Sequence, residues 1–91
     1  MATLILPAVL THDEAPACSR MLAQAVRSNS DREAVADASS LERFDSSALA
    51  VLLECRREAL ALGKSFTVRQ LPARLRALAG LYGVEALLPA S

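Results

Sequence analysis

Short apolar β-like runs alternate with amphipathic helical segments along this chain, and that alternation constrains its fold more than any other feature. The β-like runs lie at residues 3–6, 34–38 and 64–69, and each is followed by a helical pattern. Such an order is typical of a mostly parallel sheet covered by helices. Because 91 residues leave room for one core, we predict a single small α/β domain over residues 1–91.

The longest helical signal opens at Asp45-Ser46-Ser47 and ends near Leu62, before Gly63. At about 100° per residue, one stripe of this helix is predicted to face the core: Ala48, Val51, Leu52, Cys55, Ala59 and Leu62.

Two other segments also have helical spacing. The first follows Thr11-His12-Asp13-Glu14, which has the pattern of a capping box, although Pro16 makes Asp13 the better candidate for the cap. Its predicted inward residues are Cys18, Met21, Leu22, Ala25 and Val26. The other begins at Pro72 and stops at Gly80, and a short apolar turn or helix follows at residues 84–88.

Composition and charge exclude several classes of protein. The hydrophobic share is 53%, which excludes intrinsic disorder, while the formal net charge is zero and aromatic residues make up 3%. A chain without excess positive charge or aromatic residues is a poor candidate for binding nucleic acid. The net charge nevertheless divides into −3 over residues 1–45 and +3 over residues 46–91, which favours a directional protein interface.

Neither the N-terminus nor the cysteines indicate export. Residues 1–10 lack a basic region and are interrupted by Pro7, unlike a secretory signal. No apolar run approaches the roughly 20 residues that span a bilayer. Cys18 and Cys55 are best interpreted as buried free thiols, with a disulfide between them left open. We therefore expect a cytoplasmic protein without a membrane span.

Familiar catalytic sets are missing from the sequence. The single histidine, His12, cannot form a two-histidine metal site, and none of the three glycines opens a helix as a phosphate loop would. We therefore expect no enzyme, no metal and no cofactor. A hydrolase based on His12 and Cys55 is the enzymatic alternative, and unchanged function after alanine substitution of both would exclude it.

Three loops are expected to meet at the carboxyl edge of the sheet, where open α/β sheets usually bind ligands and partners. They are the Thr11-His12-Asp13 loop, the loop that ends in Asp45-Ser46-Ser47, and residues 70–72. The second loop places an acid and two hydroxyls at a helix N-terminus, so these side chains either cap the helix or display a hydroxyl to a partner.

Leu49 and Leu53 lie on the same side of the helix as Ser46, so an apolar strip runs down from the hydroxyl. The candidate partner-binding site consists of this strip and five residues of the two loops: Asp45, Ser46, Ser47, Thr11 and His12. Core burial is the favoured interpretation for Leu49.

One segment resembles the signature of STAS domains, the anti-sigma-factor-antagonist fold: Phe44-Asp45-Ser46-Ser47-Ala48-Leu49, followed by the amphipathic helix and Gly63-Lys64. The resemblance extends from about residue 4 to residue 88 and implies that Ser46 matches the regulatory hydroxyl of that family. STAS domains usually begin with a β-hairpin, whereas here one strand is predicted before the first helix. The sheet would then have an open edge, available to another chain or to a second copy.

The end of the chain is similar to a subgroup of STAS proteins that serve as subunits of phospholipid ABC transporters, in the segments Leu71-Pro72, Leu78-Ala79, Leu81-Tyr82-Gly83-Val84 and Leu88-Pro89. This resemblance implies a non-catalytic subunit, peripheral to the inner membrane, that binds the transporter's ATPase within a complex with a permease and a substrate-binding protein. It also implies a role in lipid asymmetry of the outer membrane, with Ser46 at the ATPase interface. The alternative is an anti-sigma factor antagonist that a serine kinase modifies at Ser46.

Overall fold

The computed structural model describes residues 2–91 and confirms the predicted small α/β fold with parallel strands. In chain order, its elements are β1 (Ala2–Ile5), β2 (Val9–Leu10), α1 (Ala15–Ser28), β3 (Glu33–Asp37), β4 (Arg43–Phe44), α2 (Ser47–Ala61), β5 (Ser65–Arg69), α3 (Ala73–Leu81) and a 3₁₀ turn (Glu85–Leu87). None of the helices in this part of the chain is long and apolar enough to cross a lipid bilayer.

The main sheet has the strand order β1-β3-β5, and both pairings are parallel. Because side chains alternate between the faces of a strand, the aligned residues Leu4, Ala36 and Val68 share one face, and all three are buried in the core. On the other face Ile5 is exposed. The apolar core thus lies between one face of the sheet and the helices.

The prediction of a single strand before the first helix is wrong, because β2 follows β1 and pairs in parallel with β4 in a second, two-stranded sheet. The Ala8 carbonyl oxygen accepts hydrogen bonds from the backbone N–H groups of Glu42 and Arg43, at 2.8 and 3.0 Å. A strand of two residues is too short to produce a recognisable alternation of side chains, so the sequence pattern does not reveal it. The two strands before α1 pair with different partners, so they do not form a hairpin.

Helix α2 lies where its capping residues predict, and five of its six predicted inward residues are buried. The exception is Leu62, whose side chain is 48% exposed. The helix ends at Ala61, and Gly63 follows with a φ of +73°, a conformation that turns the chain away from the helical direction. The buried stripe therefore ends at Ala59, and Leu62 lies just beyond the helix.

Helix α1 differs from its prediction in two ways. Its inward face consists of Cys18, Leu22 and Val26, whereas Met21, predicted to face inward, is 57% exposed. Asp13 is not the helix cap, because Glu14 occupies that position. The Glu14 carboxylate accepts hydrogen bonds from the Thr11 N–H at 2.8 Å and the Thr11 hydroxyl at 2.6 Å, which forms one half of the predicted capping box.

Helix α3 begins just after Pro72, as predicted, and continues one residue past Gly80 to Leu81. Leu75 and Ala79 are fully buried, and Leu78 packs against the core while remaining half-buried. The 3₁₀ turn confirms the short helical segment predicted at residues 84–88.

Lys64 is the buried charged residue of the described chain, with 8% of its surface exposed. Its ammonium group donates hydrogen bonds to the carbonyl oxygen of Asn29 and, at 2.7 Å, to that of Asp31. It thereby ties the loop between α1 and β3 to the start of β5, at the amino edge of the sheet. The sequence pattern included Lys64 in the segment that resembles STAS domains, but it did not indicate these hydrogen bonds.

Candidate functional site

The loops that follow β2 and β4 meet at the carboxyl ends of these two paired strands, so the first two predicted loops come together. The backbone N–H of His12 donates a hydrogen bond to Oδ2 of Asp45 at 3.0 Å, joining residues 33 positions apart. The His12 side chain is exposed, and its contribution to this link is made by its main chain. Thr11 is half-buried and is bonded to Glu14 within its own turn.

Asp45 organises the turn that precedes α2. While Oδ2 binds His12, Oδ1 accepts a hydrogen bond from the backbone N–H of Ser47 at 2.8 Å. The N–H groups of Ser47 and then His12 stabilise the carboxylate and hold the pKa of Asp45 below its ordinary value. The side chain is therefore ionised at neutral pH and satisfies one of the free N–H groups at the start of the helix.

Ser46 is exposed at the N-cap position of α2, yet its side chain makes no capping hydrogen bond. Its carbonyl oxygen accepts the Leu49 N–H at 3.0 Å, so the residue is fixed through its main chain. The Asp45 carboxylate, and not a serine hydroxyl, caps the first turn of α2 by accepting the Ser47 N–H. The Ser46 hydroxyl is consequently displayed at the surface, whereas Ser47 is half-buried.

Only part of the predicted apolar strip below Ser46 is accessible. Leu49 is 3% exposed and belongs to the core, the interpretation that the sequence favoured for it. This burial removes Leu49 from the set of side chains that a partner could touch directly. Leu53 is half-buried against the core.

A groove beside Ser46 was not predicted from the sequence. It lies between the end of β4 and one face of α3 and has a volume of about 330 Å³. The guanidinium carbon of Arg74 lies 4.9 Å from the centre of the Phe44 ring, a cation–π geometry. We call this the α3 groove, lined by Phe44, Asp45, Arg74, Ala77, Leu78 and Leu81.

The spacing of the α3 residues could have revealed this groove. Residues 74, 77, 78 and 81 follow the i, i+3, i+4, i+7 pattern of one helix face, separate from the face that buries Leu75 and Ala79. Leu81 is 79% exposed and the adjacent Tyr82 is 58% exposed. The sequence signal for this groove is therefore a second stripe on the nine-residue helix, made of one basic and three apolar residues.

The third loop, which follows β5, is held beside the end of β3. The Arg69 carbonyl oxygen accepts the Ala38 N–H at 2.9 Å, and the Arg69 guanidinium lies 3.8 Å from the Asp37 carboxylate. Gln70 then adopts a φ of +54°, which turns the chain towards α3. These contacts place the start of α3 where Arg74 reaches Phe44, next to the Asp45 turn.

The two cysteines offer no nucleophile. Cys18 and Cys55 are free and buried, which confirms the favoured interpretation of them. Burial raises the pKa of Cys18 and raises that of Cys55 to about 12, so both stay protonated at neutral pH. Among residues 2–91, no group of three His, Cys, Asp or Glu side chains is placed to hold a metal ion.

Two solved structures share this fold. An anti-sigma-factor antagonist (STAS) domain protein from Planctomyces limnophilus is 15% identical, with a TM-score of 0.80 over 97% of this chain and 79% of that chain. The anti-sigma factor antagonist SpoIIAA in its unphosphorylated form is 14% identical, with a TM-score of 0.74 over 99% of this chain and 80% of that chain. At such identities the likeness establishes the fold alone.

Among curated proteins, none matches this sequence. A family model described as "Mlab, STAS domain" matches residues 2–89. It covers the displayed Ser46, the Asp45 turn and the α3 groove, and the fold it implies is that of the two solved structures. The chain therefore belongs to the STAS domain family, whose members are generally binding or regulatory domains.

Proposed function

We propose that this protein is a non-catalytic STAS subunit that binds and supports the cytoplasmic ATPase of an ABC-type phospholipid transport system. In this role it is held at the inner membrane through its complex and contributes to lipid asymmetry of the outer membrane. The description of the matching family model as "Mlab" supports this choice among STAS functions.

The observation that carries the proposal is the Ser46 hydroxyl. It is exposed at the start of α2 and takes no part in capping, because Asp45 binds the Ser47 N–H instead. The bond between His12 and Asp45 joins the turn to the neighbouring loop, so the hydroxyl is presented from a turn held at two points. Pre-ordered surfaces lose less conformational entropy on binding, which suits a docking site.

The α3 groove supplies the apolar area that such an interface needs. Leu81 is largely exposed, and Phe44 and Leu78 are half-buried beside it. Exposed apolar side chains that line a common groove mark sites for partner proteins. The Arg74 guanidinium over Phe44 adds a cation at the end of the groove nearest the Asp45 turn. We expect an apolar segment of the ATPase to lie in this groove while Ser46 is covered.

Co-purification of the tagged chain with ABC ATPase subunits from its native cells tests the proposal. Ser46→Tyr places a bulky ring at the centre of the interface and should weaken binding at least about tenfold, as loss of a central contact does. Ser30→Tyr makes the same change at an exposed serine beyond the opposite edge of the sheet and should bind as the unaltered protein does. If the unaltered chain retains no ABC ATPase, the proposal fails.

The second candidate is an anti-sigma factor antagonist that is phosphorylated on Ser46. Two observations support this candidate: the displayed Ser46 hydroxyl, and the likeness to SpoIIAA, which was solved in its unphosphorylated form. A phosphate on Ser46 would lie beside the ionised Asp45, so repulsion would alter the turn and release a bound partner. Mass spectrometry after incubation with an anti-sigma serine kinase tests this candidate, and a Ser46 that stays unmodified excludes it.

A further inference from the structure

A second apolar groove lies on the other side of the Ser46 turn, along α1. Its volume is about 460 Å³, and Met21, 57% exposed, stands at one end of it. We call it the α1 groove, lined by Pro7, Val9, Asp13, Glu14, Ala17, Cys18 and Met21. Its helix residues 14, 17, 18 and 21 repeat the i, i+3, i+4, i+7 spacing of the α3 groove.

The charge at the rim distinguishes the two grooves. Asp13 and Glu14 stand together where α1 begins, and none of the side chains lining the α1 groove is basic. Glu14 is held by Thr11 and also feels the nearby Arg43, whereas Asp13 is exposed. The α3 groove carries the cation Arg74 at the corresponding end of its helix, together with the ionised Asp45. The two grooves therefore differ in charge: the α1 groove has two acids and no base, whereas the α3 groove has one of each.

Both grooves belong to one continuous surface. The turn that carries Asp13 and Glu14 also contains His12, whose N–H is bonded to Asp45 at 3.0 Å. Asp45 in turn lines the α3 groove and adjoins Ser46. A partner that covers Ser46 therefore meets an acidic apolar groove on one side and, on the other, a groove that carries both an acid and a base.

We infer that the ATPase subunit covering Ser46 also places an amphipathic helix in the α1 groove, its apolar side on Val9 and Met21 and a Lys or Arg beside Asp13. This inference rests on the proposed function. An apolar helix in a groove is a common mode of recognition, and a basic residue complements the acidic rim. Of the two grooves, the α1 groove has acids at its rim and no base, so the basic residue of the helix favours it over the α3 groove.

Isothermal titration calorimetry between the full chain and the purified ATPase tests this inference. Met21→Glu should weaken binding about tenfold, since it places a charge against an apolar helix face. Asp13→Lys should weaken it several-fold at low ionic strength and less at high ionic strength, because salt screens exposed charges. The matched controls, Leu62→Glu and Glu33→Lys, change side chains of similar exposure away from the groove and should alter binding less than about twofold.

The possible outcomes separate the two ideas. If Ser46→Tyr abolishes binding while Met21→Glu and Asp13→Lys bind normally, this inference is wrong and the proposed function stands. If the unaltered chain does not bind the ATPase, both are wrong. If Met21→Glu instead abolishes self-association of the isolated chain and leaves ATPase binding unchanged, the α1 groove is a contact between copies, and this inference is again wrong.

Discussion

Opposite edges of the sheet are each secured by one charged side chain that binds the main chain of a distant loop. At the amino edge the Lys64 ammonium binds the carbonyl oxygens of Asn29 and Asp31. At the carboxyl edge the Asp45 carboxylate binds the N–H groups of His12 and Ser47. The two devices are chemically similar, but Lys64 is 8% exposed and Asp45 lies at the surface.

This difference in exposure separates a role in stability from a role in presentation. Removing a buried charged donor takes a strong hydrogen bond away from each of its acceptors, which is costly. Removing an exposed acceptor lets water replace it at little cost. We therefore expect Lys64 to stabilise the fold, and Asp45 mainly to hold Ser46 and the first loop in position.

The largest expected effect is on stability at the amino edge. Lys64→Met keeps the aliphatic length of the side chain but deprives two carbonyl oxygens of their donor, and should lower the free energy of unfolding by about 2 to 3 kcal/mol. Urea denaturation measures this change. Arg57→Met removes an exposed cation that pairs within its own helix and should leave the urea midpoint nearly unchanged. A Lys64→Met variant as stable as the unaltered protein would contradict the contrast between the edges.

The next effect concerns binding at the carboxyl edge. Asp45→Ala frees the N–H groups of His12 and Ser47, so the turn loses its fixed geometry while the core stays intact. We expect about tenfold weaker ATPase binding with only a small shift of the urea midpoint. Calorimetry and denaturation on the same sample test this. If Asp45→Ala greatly lowers stability and leaves the affinity unchanged, Asp45 stabilises the fold and does not position the binding site, contrary to this account.

Acidification should affect the Asp45 turn in a defined direction. The pKa of Asp45 is lowered in the folded protein, so its contribution to stability is present above the ordinary value of about 3.9 and is lost as pH falls through the lower, folded value. Asp45→Asn keeps an acceptor for the Ser47 N–H but lacks the charge. The difference in stability between the unaltered protein and the Asp45→Asn variant should therefore be constant near neutral pH and shrink below about pH 4. Urea titrations between about pH 7 and pH 2.5 measure it, and a difference independent of pH would contradict the assignment.

The smallest expected change in stability is at the α3 groove. Arg74→Met removes the cation–π contact with Phe44, which is worth about 0.5 kcal/mol at an exposed site. Affinity for the ATPase should fall more than stability does, because Arg74 is then missing from the partner surface. Arg76→Met, on the same helix but paired with Glu85, is the control. If the two substitutions change the affinity equally, Arg74 does not contact the ATPase, which would contradict this prediction.

The regular elements were predictable because their signals are local. Helix α2 begins and ends within a residue or two of its prediction, since Asp45 and Gly63 act on neighbouring backbone. Strands β2 and β4 were not predictable, because each has two residues and exists through pairing with a distant segment. Met21 and Leu62 fit the helical period but lie where no neighbouring element covers them.

The candidate site divides in the same way. Ser46 was predictable from a motif of adjacent residues, and the structure shows that Asp45 caps the helix in its place. The link between His12 and Asp45 spans 33 positions, so no local pattern contains it. The Phe44–Arg74 contact and the different charges of the two grooves likewise depend on how the loops meet at the sheet edge.

The central claim, that Ser46 is presented to an ATPase subunit, is tested most directly by ATP hydrolysis. The turnover of the purified transporter ATPase is measured alone, with the unaltered chain, and with the Ser46→Tyr and Ser30→Tyr variants, each shown to be folded by circular dichroism. The account predicts that the unaltered chain and Ser30→Tyr raise turnover equally, whereas Ser46→Tyr leaves it at the level of the ATPase alone. Equal stimulation by Ser46→Tyr, or no stimulation by the unaltered chain, would contradict it.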